Sequence, residues 1–283
     1  MIRLKRRKIL QLGGTLLAGS FSSPIFAAIS QKYGGLPIGI HGASFREFDF
    51  PETLSIIVEE LGLNEIELTS SQIRLHGDPE DELATLSEVR RLHAQLKTAG
   101  VKASAYGFVP MSIEPEKNKR LFQMAQELEL KNLTVIPEYD ALDHLEELAE
   151  LYDIRLAIHN NAPGRLYDSM EQVYEAIEGR GNYVGACVDI GNVLRSYEDP
   201  AAAIRYLGQK VFGIHLKDVS SRSNDSEVIG LGEGVLDTEE FFVALRETQM
   251  PEDIACSLEY LAQPSDPVPS LLLSLALAED LLN

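Results

Sequence analysis

The chain has 283 residues, 45% of them apolar, with 44 acidic against 25 basic side chains and a formal net charge of −19. That length and apolar share fit one large domain with a full core. A field so negative repels phosphate backbones and anionic lipid, which argues against nucleic acid as a partner.

The first segment stands apart. Arg3, Lys5, Arg6, Arg7 and Lys8 form a basic cluster without acids, and a Gly-, Ala- and Ser-rich apolar stretch follows from Ile9 to Phe26. Ile25-Phe-Ala27 supplies a small-residue cleavage point, so residues 1–27 read as an export signal and 28–283 as the mature domain. Lys5-Arg6-Arg7-Lys8-Ile9-Leu10 resembles the twin-arginine consensus, with a plain secretory signal or a membrane anchor as the alternatives. The apolar stretch is short and glycine-rich for a spanning helix, so no stable membrane insertion is expected after cleavage. The expected location is periplasmic or otherwise exported. Losing the signal removes five basic residues and moves the net charge from −19 to −24.

Strand and helix patterns then alternate with little interruption. Leu36–His41 reads as a strand, Thr53–Leu61 as a helix, Glu65–Thr69 as a strand and Glu82–Ala99 as a helix closed by Gly100. Strands at Val101–Gly107 and Leu133–Pro137 alternate with helices at Glu116–Leu130 and Asp143–Leu151. Arg155–Asn160, Tyr183–Asp189, Val211–Lys217 and Asp253–Tyr260 are the last four strands. Helices at Ser169–Ile177, Ala201–Leu207, Thr238–Thr248 and Val268–Leu282 follow them in turn. Asp199-Pro200 and Asp237-Thr238 place carboxylates beside the first free amides of two of these helices. Eight strand–helix pairs in one domain of this size predict an α/β fold, a (β/α)8 TIM barrel. An open doubly wound sheet would carry a glycine-rich phosphate turn after its first strand. His41-Gly42-Ala43-Ser44-Phe45-Arg46 is not such a turn.

The last four strands stop on His159, Asp189, His215 and Glu259. A parallel barrel builds its active site from the C-terminal ends of its strands, so four such endings point to one cluster. Two imidazoles and two carboxylates suit a transition metal better than Ca2+, which prefers oxygen alone. Taken singly, a His at a strand end is often only a satisfied polar group at the edge of the core. Alternation places His159 and Asn161 on one face of the fifth strand, and His215 with Lys217 on one face of the seventh. Lys217 reads either as an oxyanion stabiliser or as the ion-pair partner of Asp218. Glu138, ending the fourth strand, and Glu67, on the second, read either as site residues or as solvated surface. His76 is a candidate lid contact to a hydroxyl, while His93 and His144 fall in helices and read as surface or packing residues. By the same alternation Cys187 points into the barrel with Asp189 and Cys256 away from it, so both read as buried thiols rather than a disulfide.

From about residue 36 onward the chain resembles the xylose isomerase-like TIM barrel family, the sugar phosphate isomerase/epimerase group. The resemblance rests on Ile158-His159-Asn160, Val188-Asp189-Ile-Gly191, Arg195-Ser196 with Asp199-Pro200, His215-Leu-Lys217-Asp218, Gly232-Glu-Gly234-Val-Leu-Asp237 and Ser257-Leu-Glu259-Tyr260. It implies one divalent metal ion (Mn2+, Co2+, Fe2+, Zn2+ or Mg2+) held by His159, Asp189, His215 and Glu259. It further implies a small-molecule carbohydrate substrate and an enediolate route, with Glu259, His159 and Lys217 as the catalytic set and His76, Asn161, Asn192 and Glu138 around the substrate. Family members pair or form tetramers, so a homo-oligomer is expected on the same ground. Two departures matter. Ketose epimerases of the family carry Glu where His159 stands, and the nearest-looking subgroup has His at the positions of Asn161 and Asn192. Asn cannot move a proton near neutral pH.

The expected function is therefore an exported metal-dependent isomerase or epimerase of an unphosphorylated sugar or keto-sugar. A metal-dependent lyase eliminating from a 3-keto-sugar or glycoside is the first alternative, and a non-catalytic carbohydrate-binding barrel the second. Gly230-Leu-Gly232-Glu-Gly234 lies where many barrels bind phosphate, but Glu233 and the negative field argue against a phosphorylated ligand.

Overall fold

A computed structural model describes residues 32–77 and 82–283; the segment 1–27, read above as an export signal, lies outside the described residues. Eight parallel strands close into a barrel. They are β1 (Ile38–His41), β2 (Glu65–Leu68), β3 (Lys102–Met111), β4 (Asn132–Pro137), β5 (Arg155–His159), β6 (Val184–Asp189), β7 (Val211–Leu216) and β8 (Ala255–Leu258). Sequential strands are neighbours throughout, and β8 closes on β1 through Ile38↔Cys256 and Ile40↔Leu258. Strands buried on both faces read as continuous apolar runs, which is how Leu156-Ala-Ile and Val211-Phe-Gly-Ile appear in the sequence. Helices cover the outside, and their apolar faces pack on the strands in one continuous core.

Local chemistry shifts several expected boundaries. The helix expected from Glu82 starts at Leu86, because the Thr85 hydroxyl and the Glu88 carboxylate cap each other's backbone amides. The expected helix Thr53–Leu61 is an α-helix over Phe50–Ser55, capped by Asp49, that widens into a π-turn over Ile56–Glu60. β3 does not stop at Gly107. Its pairing with β4 slips between Tyr106 and Val109 and then resumes as far as Met111↔Pro137. That extension carries Phe108 to the barrel mouth. A short helix at Ile190–Arg195, not anticipated, forms because Asp189 caps it.

Cys187 and Cys256 are both free and buried. No helix of the described residues is long and apolar enough to cross a membrane.

Candidate metal centre

β5, β6 and β7 are adjacent in parallel register, with His159 opposite Cys187 and Asp189 opposite His215. Three donor atoms converge there. His159 Nε2 is 3.2 Å from both His215 Nδ1 and Asp189 Oδ2, and His215 Nδ1 is 3.5 Å from Asp189 Oδ2. Donors about 2.1 Å from a common ion stand roughly 3.0 Å apart on an octahedron and roughly 3.4 Å on a tetrahedron. Two of the three edges fall in that range, and the third, at 3.5 Å, is about 0.1 Å beyond its tetrahedral end. All three side chains are buried, and at most one proton fits between the two facing ring nitrogens. Two ring nitrogens and a carboxylate oxygen turned toward one point fit a divalent cation once any proton shared between the rings is displaced. A 2-His-1-carboxylate face of this kind leaves further positions for substrate.

Two of the three donors, Asp189 and His159, are held by local contacts. Asp189 Oδ1 accepts the Asn192 amide at 2.8 Å as the cap of the following helix, which leaves Oδ2 for the site. Asn160 clamps the Asp189 backbone, donating to its carbonyl at 3.0 Å and accepting its amide at 2.7 Å. Phe108, half exposed, stacks on the His159 ring at 5.0 Å.

Glu259, the fourth ligand implied by the resemblance, is not part of this donor group; it stands on the far side of Lys217, whose ammonium lies between it and Asp189. The Lys217 ammonium donates to Asp189 Oδ2 at 2.8 Å and makes a close ion pair with Glu259 Oε2. Gly191 makes room for this lysine, since a Cβ there would stand 2.9 Å from Lys217 Cδ. Burial alone would raise the pKa values of Asp189 and Glu259. The adjacent ammonium overrides it, holding Asp189 well below the usual carboxylate range and Glu259 at about 2. Lys217 in turn is held charged: burial works against the ammonium, and Asp189 and Glu259 outweigh it. Burial lowers the pKa of His159, keeping a neutral imidazole available as a donor.

Of the two readings of Lys217, the structure removes one, because Lys217 does not pair with Asp218. The Asp218 carboxylate turns into the glycine loop and accepts the amides of Gly232, Gly234, Val235 and Leu236 at 3.0–3.2 Å.

The residues expected around the substrate divide. His76 and Glu138 line a cavity of about 630 Å³ at the barrel mouth, together with Arg74, Tyr106, Phe108 and Lys117. Asn161 and Asn192 do not line it. Asn161 donates to the Leu166 carbonyl at 2.6 Å, and Asn192 donates to the Asn160 carbonyl and accepts from Arg195. Both amides hold loops in place.

Sequence reasoning passed over His41 and Phe108. His41 ends β1, stands 3.6 Å from Glu259 Oε1 and packs edge-on against the His215 ring at 4.6 Å. The rule that singled out the other strand ends applies equally to it. Phe108 gave no signal, since its position depends on the slipped register of β3. Glu67, left open between site and surface, is fully buried beside His215.

A parallel barrel with a candidate donor set at its C-terminal mouth carries it where enzymes of this fold build their active sites. The family model described as "Xylose isomerase-like TIM barrel" matches residues 57–276, and the chain belongs to that family. None of the curated proteins matches it. Among solved structures it is similar to an uncharacterized protein from Parabacteroides distasonis, with 26% identity, a TM-score of 0.64 and coverage of 86% of this chain and 98% of that one. It is also similar to the IOLI protein with a bound zinc atom, at 16% identity and TM-score 0.70, covering 87% and 98%. A third is AsbF from Bacillus anthracis, assigned as a 3-DHS dehydratase, at 16% identity and TM-score 0.65, covering 85% and 97%.

Proposed function

We propose that this protein is an exported, divalent-metal-dependent isomerase or epimerase of an unphosphorylated sugar or keto-sugar, working through an enediolate. The observation that carries the reading is the buried set of His159, Asp189 and His215 beside the Lys217–Glu259 pair. Charge supports one ion. Glu67, Asp189 and Glu259 contribute three negative charges and Lys217 one positive, so one divalent cation with neutral imidazoles brings this buried cluster to zero.

His159, Asp189 and His215 would hold that ion, which supplies Lewis acidity toward a sugar carbonyl and its neighbouring hydroxyl. The remaining steps belong to side chains. A carboxylate held at a pKa of about 2 is a weak base, so Glu259 gains basicity only when Lys217 leaves it. A substrate oxygen that draws the ammonium away does both things at once. Lys217 then offsets the growing negative charge on that oxygen, and Glu259 takes the proton from the adjacent carbon. Phe108 offers an apolar platform for a sugar ring beside His159.

Two observations bear on the ligand. The amides of the glycine loop are taken by Asp218, so that loop has no free cradle at those positions for a phosphate. The basic and apolar head over 1–27 supports export, away from the cytoplasmic pool of sugar phosphates.

A second reading, elimination from a 3-keto-sugar or glycoside, is favoured by one feature. His159 stands on β5 where a second carboxylate would serve a two-base epimerisation, and elimination needs only the single base Glu259.

The test is proton exchange. Metal-loaded protein is incubated with candidate sugars and keto-glycosides in deuterated water and followed by NMR. Deuterium at one carbon, with a changed stereocentre or a moved carbonyl, is the expected result. Loss of the aglycone selects elimination, and no exchange across the panel leaves a carbohydrate-binding barrel without turnover.

A further inference from the structure

The strongest group outside the donor face is Glu67 on β2, with His41 and His215 beside it. Glu67 is fully buried, yet both of its oxygens have partners. The Thr134 hydroxyl on β4 donates to Oε1 at 2.6 Å, and the Ser257 hydroxyl on β8 donates to Oε2 at 2.6 Å. The same Oε2 stands 3.2 Å from His215 Nε2, the ring nitrogen opposite the one turned to His159 and Asp189. Three strands besides β7 therefore fix one carboxylate behind one imidazole.

Two roles fit such a group. Glu67, His41 and His215 offer ligand atoms within 4.8 Å of one another, the spacing of a second cation site. Charge argues against it, because a second divalent ion would leave two uncompensated positive charges in a buried cluster that one ion neutralises. It would also make His215 bridge two ions as an imidazolate while Glu67 keeps both hydroxyl partners. The other role needs no added charge. A carboxylate that accepts the far N–H of a ligating histidine fixes its tautomer and ring angle and raises its basicity toward the ion.

We infer that Glu67 is a positioning residue. Its anion, 3.2 Å from His215 Nε2, favours the tautomer with the proton on that nitrogen, so that the lone pair of His215 Nδ1 faces His159 and Asp189, and it thereby sets the affinity of that face for a divalent ion. The Cys187 thiol also lies against His215, but sulfur is a weak acceptor and does not compete with a carboxylate. The inference rests on the metal-centre reading above.

The test uses the full mature chain and Zn2+ as the probe. Glu67→Gln is nearly isosteric and can still accept one hydroxyl, but it presents an amide rather than an anion to His215. Zn2+ affinity measured by competition with a chromogenic chelator should fall 10- to 100-fold, the range typical for loss of such a partner. In the Zn2+-loaded wild type, the His215 Nε2–H should appear in nitrogen-15 histidine NMR as a downfield, slowly exchanging proton, and in Glu67→Gln it should move upfield or vanish. The double variant Thr134→Val with Ser257→Ala keeps the carboxylate but frees it from its hydroxyls, and it should lose affinity by a smaller factor. That variant carries the test if Glu67→Gln does not fold. Unchanged affinity with an unchanged His215 proton would overturn the positioning role. Wild-type protein that binds no Zn2+ would instead overturn the metal-centre reading itself.

Discussion

Lys217 and Asp189 meet through one oxygen: the ammonium donates to Asp189 Oδ2 at 2.8 Å, and that same oxygen faces both histidines of the donor set. Lysine and ion therefore draw on a single acceptor. Lys217→Met should raise the affinity for Zn2+ or Mn2+, because it removes a competing positive charge. Proton exchange on substrate should fall by about 10²-fold or more, since the developing oxyanion loses its donor. The metal-free variant should also be less stable, because two buried carboxylates lose their partner. Titration calorimetry, deuterium exchange and thermal melts measure the three effects. Weaker metal binding in Lys217→Met would contradict the competition.

In the proposed mechanism Glu259 is the carboxylate that the departing Lys217 would release. Glu259→Gln should lower exchange by about 10²- to 10⁴-fold, the usual loss for a general base. Metal content should suffer less than in a donor-face variant. The same residue gives the metal-free protein a pH signature. Its folded pKa lies at about 2, below the usual 4.5, so its contribution to stability is complete above that usual value. It should drain away as the pH falls from about 4.5 toward 2. Urea titrations across that window should show a shallower slope in Glu259→Gln than in the wild type, and equal slopes would remove Glu259 from the account.

The donor face itself makes the plainest prediction. Asp189→Ala and His215→Ala should each abolish stoichiometric metal by elemental analysis. Asp189→Ala carries a second cost, because the short helix after β6 loses its cap, about 1 kcal/mol in typical cases. Full metal content in either variant would overturn the assignment of ligands.

How far the sequence displayed these relationships depends on their range. The eight strands were legible because parallel strands buried on both faces write short apolar runs, and turns and caps separate them from the helices. His159, Asp189 and His215 were legible as strand endings, but their meeting depends on the register of β5, β6 and β7. Lys217 was left between two readings for a physical reason. Its neighbour Asp218 is adjacent along the chain but points to the opposite face, into the glycine loop, while Asp189 and Glu259 lie one strand away on either side. Glu67 was ambiguous because a lone glutamate in a four-residue strand carries no mark of burial; only the hydroxyls of Thr134 and Ser257, far off in sequence, show it. Phe108 was hidden by a register slip that no local pattern encodes.

Export can be tested through the same dependence on folding. The donor face joins residues from 159 to 215 on three strands, so it exists only in the assembled barrel. A chain threaded unfolded through a membrane would have to find its ion on the far side. A twin-arginine route moves the folded domain and lets the ion be loaded before transit. Arg6 and Arg7 stand within Lys5-Arg6-Arg7-Lys8, followed by the apolar pair Ile9-Leu10. Replacing both with lysine keeps the positive charge and removes only the paired guanidinium groups. In a bacterial host that has the pathway, Arg6→Lys with Arg7→Lys should leave full-length precursor inside the cell, while the unaltered chain appears outside the cytoplasm, shortened at Ala27. Normal export of the double variant would assign the segment to the general secretory route and require the metal centre to assemble after transit.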